Sequence, residues 1–326
     1  MQRSLTVPLS TTNAHCRLHR LVDGSSVDAV PRIAALGMFD GLHLGHQLIL
    51  EKVRQLRAEY SPEARTALIS FYPHPLKVLN AKWSGLQPSI LTLHQKLKLL
   101  SESGIDELWL LHFTEELAGM SAECFIEEVL LRRLGVRRLL LGADAKFGAG
   151  QRGTVELASR LMSSRGAECI SIDLLQAGSR RIGSSRIREQ LAVGDLKGAA
   201  ELLGRPYAIE GRVVKGDGRG AQLGFRTANL AIGRQAWPPF AVYASLSHLA
   251  GRTYESISSI GTRPTFGKLV PCAETHLLSY SGPAFYGRRL EVELVERIRG
   301  ERRFAGVSEL ISQIKLDVAE ARKILG

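Results

Sequence analysis

His43 and His46 stand three residues apart in the segment Gly37-Met38-Phe39-Asp40-Gly41-Leu42-His43-Leu44-Gly45-His46. That spacing puts both imidazoles on one side of the first turn of a helix. A helix N-terminus offers free N–H groups and partial positive charge, which together bind phosphate. Gly37 and Gly41 let the backbone approach a ligand closely and adopt unusual dihedrals. Two imidazoles so placed can donate hydrogen bonds to phosphate oxygens as charge builds in a transition state. If a substrate phosphate attacks the α-phosphate of a nucleoside triphosphate in line, with magnesium on the departing pyrophosphate, no protein nucleophile is needed. On its own, the pair is equally consistent with two capping histidines or a metal pair.

Three more segments carry chemistry-bearing residues. Phe71-Tyr72-Pro73-His74-Pro75, Gly142-Ala143-Asp144-Ala145-Lys146-Phe147-Gly148 and Gly183-Ser184-Ser185-Arg186-Ile187-Arg188 each follow an apolar run that reads as a strand. Loops at the carboxyl ends of parallel strands are expected to converge. Ser184 and Ser185 offer hydroxyls, and Arg188 a rigid fork for phosphate. Read singly, Ser184 is a helix cap, Asp144 a turn residue and His74 a packed histidine.

A second group lies in the last third of the chain. Gly216, Gly218, Gly220 and Gly224 crowd around Asp217 and precede Phe225-Arg226-Thr227-Ala228-Asn229. A glycine-rich turn can wrap phosphates with backbone N–H groups. Thr227 and Asn229, two apart in extended backbone, face the same way and offer neutral oxygens to a magnesium ion already bound to ATP phosphates. Glu274, whose neighbours Ala273 and Thr275 point to the other face, can accept the proton of a hydroxyl attacking a γ-phosphate. The plain alternatives are a hairpin, an ordinary β-forming threonine and a solvent-facing glutamate, with Arg297 and Arg299 as surface charge.

The elements that must position these residues fall into two patterns. Strands are expected at Ile33–Leu36, Thr66–Phe71, Leu108–Leu111, Arg138–Gly142 and Cys169–Ile172, with helices between them from about His46, Thr92, Ser121 and Thr154. Apolar strands alternating with helices predict a doubly wound α/β domain with a parallel sheet covered on both faces. After about Gly204 the runs Tyr207–Val214, Ala241–Leu246, Tyr254–Ile260, Ala273–Leu278 and Leu290–Ile298, separated by Gly/Pro turns, predict a small antiparallel β-barrel. A final helix carries Ile311, Ile314, Val318, Ala321 and Leu325 on one face. The expected partition is an N-terminal extension and first segment over 1–30, a nucleotidyltransferase domain over 31–190, a helical linker over 191–204 and a barrel over 205–326.

The totals restrict the classes. A chain of 326 residues has room for two cores, and 44% apolar with 23% charged residues is ordinary for a soluble protein. The net charge of +11 suits phosphorylated ligands, but the basic residues occur as short pairs such as Arg132-Arg133 and Arg180-Arg181, without interleaved aromatics, so no nucleic-acid partner is expected. Cys16, Cys124, Cys169 and Cys272 form no CxxC pair, which fits a reducing cytoplasm rather than a zinc site or disulfide framework. No apolar run reaches the roughly 20 residues of a membrane span. Small-molecule partners and, at most, weak self-association are expected.

From about Ala34 to Ile324 the chain resembles the bifunctional riboflavin kinase/FAD synthetase family of bacteria. The resemblance implies that riboflavin is phosphorylated to FMN and that FMN is then adenylylated to FAD, with ATP as co-substrate and Mg2+. It implies that Gly37, Phe39, Asp40, His43, His46, Asp144, Ser184, Ser185 and Arg188 belong to the adenylyltransferase ATP and catalytic site, and that Phe71, Pro73, His74 and Pro75 lie near the flavin. In the kinase half it implies ATP at Gly216, Asp217, Gly220, Gly224, Thr227 and Asn229, metal at Thr227 and Asn229, Glu274 as base, and flavin near Arg263, Arg297 and Arg299. The chain departs from the family pattern where Gly183 replaces serine, Ser185 a threonine whose hydrogen bonding its hydroxyl can supply, Ala145 an aromatic, Arg226 a proline and Ala241 a glycine. Proline would fix φ and preorganise the loop. Kinase activity is expected to survive with weakened binding. A single-activity FMN adenylyltransferase with an impaired kinase half is the alternative, a flavin-binding regulator without turnover a third, and an adenylyltransferase for another phosphorylated acceptor a fourth.

Overall fold

The computed structural model describes residues 16–21, 28–79, 88–173, 176–177, 180–216, 218, 220, 223–265 and 268–326. The chain divides into two compact units, one of residues 1–87 and 93–182, the other of 88–92 and 183–326.

The first unit is built on a six-stranded sheet. Its strands are β1 (Arg17–Leu21), β2 (Arg32–Leu36), β3 (Arg65–Tyr72), β4 (Glu107–His112), β5 (Val136–Gly142) and β6 (Glu168–Ile172). They lie in the order β1-β4-β3-β2-β5-β6, every pair parallel. Ala34, Ile69 and Leu139 face one side and Ile33, Ala35 and Leu68 the other, all fully buried, which requires helices on both faces. Helix α1 (Leu44–Tyr60) packs on β2 and β3, burying Leu50, Val53 and Leu56. Helices α2 (Pro75–Leu79), α3 (Leu93–Glu102) and α4 (Glu115–Gly119) follow. The helix expected from Ser121 is a short α5 (Ala122–Cys124) that widens into a π-helix over Phe125–Arg133, closed by the Leu134 N–H on the Val129 carbonyl at 3.0 Å. Helix α6 (Val155–Ser163) completes the covering layer, and a two-stranded ribbon pairs β7 (Gln176–Ala177) with β8 (Arg180–Arg181).

Edge strand β1 is unforeseen by the sequence reading. It holds place by parallel pairing with β4 and by the His19 ring stacked on Trp109, centroids 4.3 Å apart. The amino ends of β2, β3 and β4 are tied together by charge. Glu107, 0% exposed, accepts from Arg32 Nε at 2.6 Å, Trp109 Nε1 at 2.7 Å and Arg65 Nη1 at 2.8 Å. Burial alone would raise this carboxyl, but those donors outweigh it and hold it below the ordinary glutamate value. The carboxyl edge is left free for ligands. The strand order reverses between β2 and β5, so the loops after these two strands open at the switch point.

The second unit contains α7 (Ser184–Val193) and α8 (Leu196–Leu203), separated by Gly194 at φ +83 and capped by Asp195, whose Oδ1 accepts from Gly198 N at 2.8 Å. A closed antiparallel barrel follows, formed by β9 (Ala208–Val214), β10 (Ala228–Ile232), β11 (Ala241–Leu249), β12 (Arg252–Thr265), β13 (Lys268–Leu277) and β14 (Arg289–Gly300), in the order β10-β13-β12-β11-β14-β9. Helix α9 (Val307–Leu325) lies on β11, β12 and β14, packing Ala321, Ile314 and Val318 on Ala244 and Ile257. Those contacts define the outer face. The inner face carries Ser245, Ser247, Ser256, Ser258 and Thr275, all 0% exposed and joined by hydroxyl–hydroxyl hydrogen bonds of 2.8–2.9 Å.

Residues 88–92 are woven into this unit. Ser89 N donates to Arg234 O and Ala236 N to Ser89 O, both at 2.8 Å. The buried Gln235 amide donates to Ile90 O at 3.1 Å, Thr92 Oγ1 donates to the buried Glu210 at 2.7 Å, and Arg188 Nε donates to Pro88 O at 2.8 Å. No helix among the described residues is long and apolar enough to cross a membrane.

Candidate functional sites

In the first unit the loop from Gly37 to His43 leaves β2 at the switch point. Its backbone is strained: Phe39, Gly41 and Leu42 have φ of +49, +92 and +43. For the two residues with side chains this conformation costs about 1–3 kcal/mol each and persists only when the surroundings enforce it. The enforcement is visible. Phe39 and Leu42 are 3% and 2% exposed. The Met38 carbonyl accepts from Ser70 Oγ at 3.2 Å and from Lys96 Nζ at 3.1 Å, and the Leu42 carbonyl from Gln47 Nε2 at 3.0 Å.

His43 occupies the N-cap position of α1, but its side chain makes no capping bond; its carbonyl takes the His46 and Gln47 N–H groups at 2.8 and 2.9 Å. The capping alternative therefore fails. The imidazoles of His43 and His46 stack with centroids 3.6 Å apart and planes 19° from parallel, and the Phe39 ring leans on His46 at 5.0 Å. Rings stacked in this way carry their nitrogens alongside one another, whereas the ligands of a tetrahedral ion converge from divergent directions. No cluster of three or more metal-ligating side chains occurs among the described residues. The Nδ1 of His46 is buried without a hydrogen-bond partner among the described residues. Burial, then the neighbouring His43, Lys96 and Arg181, push His46 well below the ordinary histidine value, so it is neutral near pH 7.

Asp144 sits in the turn after β5, and Arg181 of β8 pairs with its carboxylate, its second nitrogen 3.4 Å from Oδ1. Arg181 was foreseen only as part of a basic pair. The segment after β3 places Phe71 edge-on to Phe113 at 5.5 Å, and the Tyr72–Pro73 peptide is cis. His74 starts α2: its Nδ1 accepts from Leu76 N at 3.2 Å and its carbonyl from Lys77 N at 2.8 Å. Asp40 lies in the strained loop, within electrostatic reach of the Lys96 ammonium. Ser184, Ser185 and Arg188 belong to the second unit, on the first turns of α7, whose N-cap Gly183 supplies no side-chain cap.

In the second unit the inner-face hydroxyl of Thr275 puts its neighbour Glu274 on the outer face. Asn229 of β10 and Ser259 of β12 lie directly opposite Glu274 on either side. Thr227 Oγ1 reaches Glu274 Oε2 at 3.5 Å. The glycines serve close approach. A Cβ on Gly216 would stand 2.2 Å from Asn229 Nδ2, and one on Gly220 would stand 2.4 Å from the Phe225 carbonyl and 3.2 Å from Thr227 Oγ1. Gly224 turns the chain at φ +87. The loop that lacks proline is held another way: His276 Nδ1 donates to the Arg226 carbonyl at 2.8 Å, and Phe225 packs edge-on to that imidazole at 5.7 Å. Ala241 is fully buried on the same side of β11 as Ser245, so its methyl faces the barrel interior.

Asp217 lies outside the described residues; Arg263 is on β12 opposite Val270, its side chain outside them too. Arg297 is exposed on β14 opposite Tyr243. The Arg299 guanidinium is engaged by buried Asp317 of α9, at 2.7 Å from Nη2 and 2.9 Å from Nε.

Comparison with known proteins agrees with both halves. The FAD synthetase family model matches residues 26–186 and the riboflavin kinase family model residues 203–325. A bifunctional riboflavin kinase/FMN adenylyltransferase of Escherichia coli (strain K12) is 36% identical over 90% of this chain and 93% of the relative. One from Bacillus subtilis (strain 168) is 34% identical over 89% of this chain and 91% of the relative. A crystal structure described as a macrolide-efflux protein from Streptococcus pneumoniae superposes with a TM-score of 0.82 at 26% identity, covering 94% of this chain and 98% of that one.

Proposed function

The chain belongs to the bifunctional riboflavin kinase/FMN adenylyltransferase family, and on that premise we propose that it makes FAD from riboflavin in two ATP-dependent steps, one in each unit. In the barrel unit, Glu274 takes the proton of the terminal ribityl hydroxyl as that oxygen attacks the γ-phosphorus of ATP. The bond from γ-phosphorus to the bridging oxygen breaks and ADP leaves with FMN. Thr227 and Asn229 hold the phosphate end of ATP, and the tight turns at Gly216 and Gly220 bring backbone against these side chains. Their neutral oxygens beside one carboxylate suit Mg2+ carried in on the nucleotide, which would neutralise charge on the transferring phosphoryl group.

In the parallel-sheet unit, an oxygen of the FMN phosphate attacks the α-phosphorus of a second ATP, and the bond to pyrophosphate breaks. A neutral His46 donates one hydrogen bond and accepts none on its proton-bearing nitrogen. Beside His43 it stabilises charge on the α-phosphate as it develops. Asp144 is assigned to this ATP, and the Phe71–Pro75 segment to the flavin. Flavin contacts of Arg263 and Arg297 in the kinase half, and a cytoplasmic location, complete the reading.

The observation that carries the first step is the approach of Thr227 to Glu274 beside Asn229, since it joins a proton acceptor to phosphate-holding oxygens. The reading with an impaired kinase half is not favoured: His276 restrains the Arg226 loop and the Ala241 methyl points away from Glu274. Purified protein incubated with ATP and Mg2+, first with riboflavin and then with FMN, tests both steps. FAD from FMN but no flavin phosphate from riboflavin would restrict the activity to the second step, and no product from either would refute the reading.

A further inference from the structure

Lys96 lies on α3, outside every loop so far assigned to chemistry. The helix buries Leu97 and Leu100, and the Lys96 side chain beside them runs inward and donates to the Met38 carbonyl at 3.1 Å. A buried ammonium is costly unless it does something for the structure around it. Here it meets the loop at the residue before Phe39, the first of the left-handed positions. Phe39 in turn leans on His46, and His46 stacks on His43. A continuous line of contacts therefore runs from the ammonium to both imidazoles.

We propose that Lys96 is a positioning residue of the adenylyl-transfer site, holding the Gly37–Leu42 loop through the Met38 carbonyl and setting a fixed positive charge behind the stacked histidines. The proposal rests on the assignment of His43 and His46 to adenylyl transfer. Its chemical sense is twofold. The anchored carbonyl keeps a strained loop in one shape, so the imidazoles meet the phosphate without rearrangement. The charge opposes a proton on His46, and with it the loss of the lone neutral donor geometry. The charged groups facing His46 are His43 from the start of α1, Lys96 from α3 and Arg181 from β8; Asp40 faces Lys96, and Asp144 pairs with Arg181. Burial lowers Lys96 from the ordinary lysine value, and the Asp40 carboxylate counters that by favouring the ammonium.

The test uses full-length Lys96→Gln and Lys96→Arg, with FMN adenylylation followed against pH and riboflavin phosphorylation by the same preparations as the internal control. Lys96→Gln is expected to lower kcat for FAD formation about 10-fold or more with a smaller change in KM. It is also expected to move the acid limb of the pH profile to higher pH, because His46 loses a repelling charge, while phosphorylation is unchanged. Lys96→Arg restores the limb. An acid limb that stays in place in Lys96→Gln, at whatever rate, overturns the proposal. If Lys96→Gln loses both activities, the His46 ring titration by NMR is compared between the wild-type protein and Lys96→Met: a higher value in the variant supports the proposal and an unchanged one overturns it. A wild-type protein that makes no FAD from FMN refutes the assignment of the site, a separate outcome that the same titration leaves distinguishable.

Discussion

The His43 and His46 imidazoles stack face to face, 3.6 Å between centroids, at the mouth of a parallel sheet where its strand order reverses. Two imidazolium ions cannot share that geometry without strong repulsion, and burial with the neighbouring cations holds His46 well below the ordinary histidine value. His46→Ala should reduce kcat for FAD formation from FMN about 100-fold, the effect of removing one preorganised donor, and leave riboflavin phosphorylation untouched. Steady-state rates of the two half-reactions on one preparation check this; equal losses in both would mean a folding defect instead.

Glu274 stands on the outer barrel face with Asn229 and Ser259 opposite it and Thr227 3.5 Å away. Glu274→Gln keeps the shape and removes the proton acceptor. Riboflavin phosphorylation should fall about 100-fold or more, while FMN is still converted to FAD. Chromatography of the flavins formed from each substrate gives the answer; a Gln variant with the wild-type phosphorylation rate would remove Glu274 from the chemistry.

His276 does for the loop at Arg226 what a proline ring would do by covalent restraint. In His276→Ala the Arg226 carbonyl loses its donor and Phe225 its ring partner. KM for ATP in the kinase reaction should rise several-fold with a smaller change in kcat. Arg226→Pro in that background should recover part of the loss. Initial-rate kinetics over a range of ATP concentrations separate the two constants.

Glu107 is far from either site in sequence terms and is a matter of stability. Its folded value is depressed, so the stability it contributes is fully present above the unfolded carboxyl value of about 4.3 and is lost as pH falls through the lower folded value. Glu107→Gln leaves Arg32 and Arg65 facing a neutral amide in a buried place and should cost about 3–5 kcal/mol near pH 7. The difference from wild type should shrink as the pH drops below about 4. Thermal unfolding at several pH values measures it.

Much of this arrangement is readable from the sequence because both patterns are strong. Buried strands such as Ile33–Leu36 and Arg138–Gly142 are apolar on both faces and stand between helices, which points to a parallel sheet without further information. Glycines at 216 and 220 read as a turn, and the structure presses them on Asn229 and Thr227, contacts that their spacing alone does not name. Other features have no local signal. Arg17–Leu21 is a strand only because β4 offers an edge, and its charged residues hide it. Lys96 looks like one more solvated helix lysine, since nothing in its neighbours says that its side chain turns inward to Met38. Residues 88–92 join the second unit by hydrogen bonds to residues more than 90 positions away in the sequence, such as Gln235 and Arg188, which no window on the chain can reveal. Arg299 reads as a free basic side chain, whereas Asp317 on α9 takes its guanidinium.

The most direct test of two successive ATP-dependent steps in one chain is the fate of labelled phosphates. Riboflavin is incubated with the protein, Mg2+ and ATP carrying label either at the γ- or at the α-phosphorus, and the flavins are separated. The account predicts γ-label in both FMN and FAD, α-label in FAD alone, and α-label absent from the released pyrophosphate. FAD without α-label, or FMN without γ-label, would contradict it.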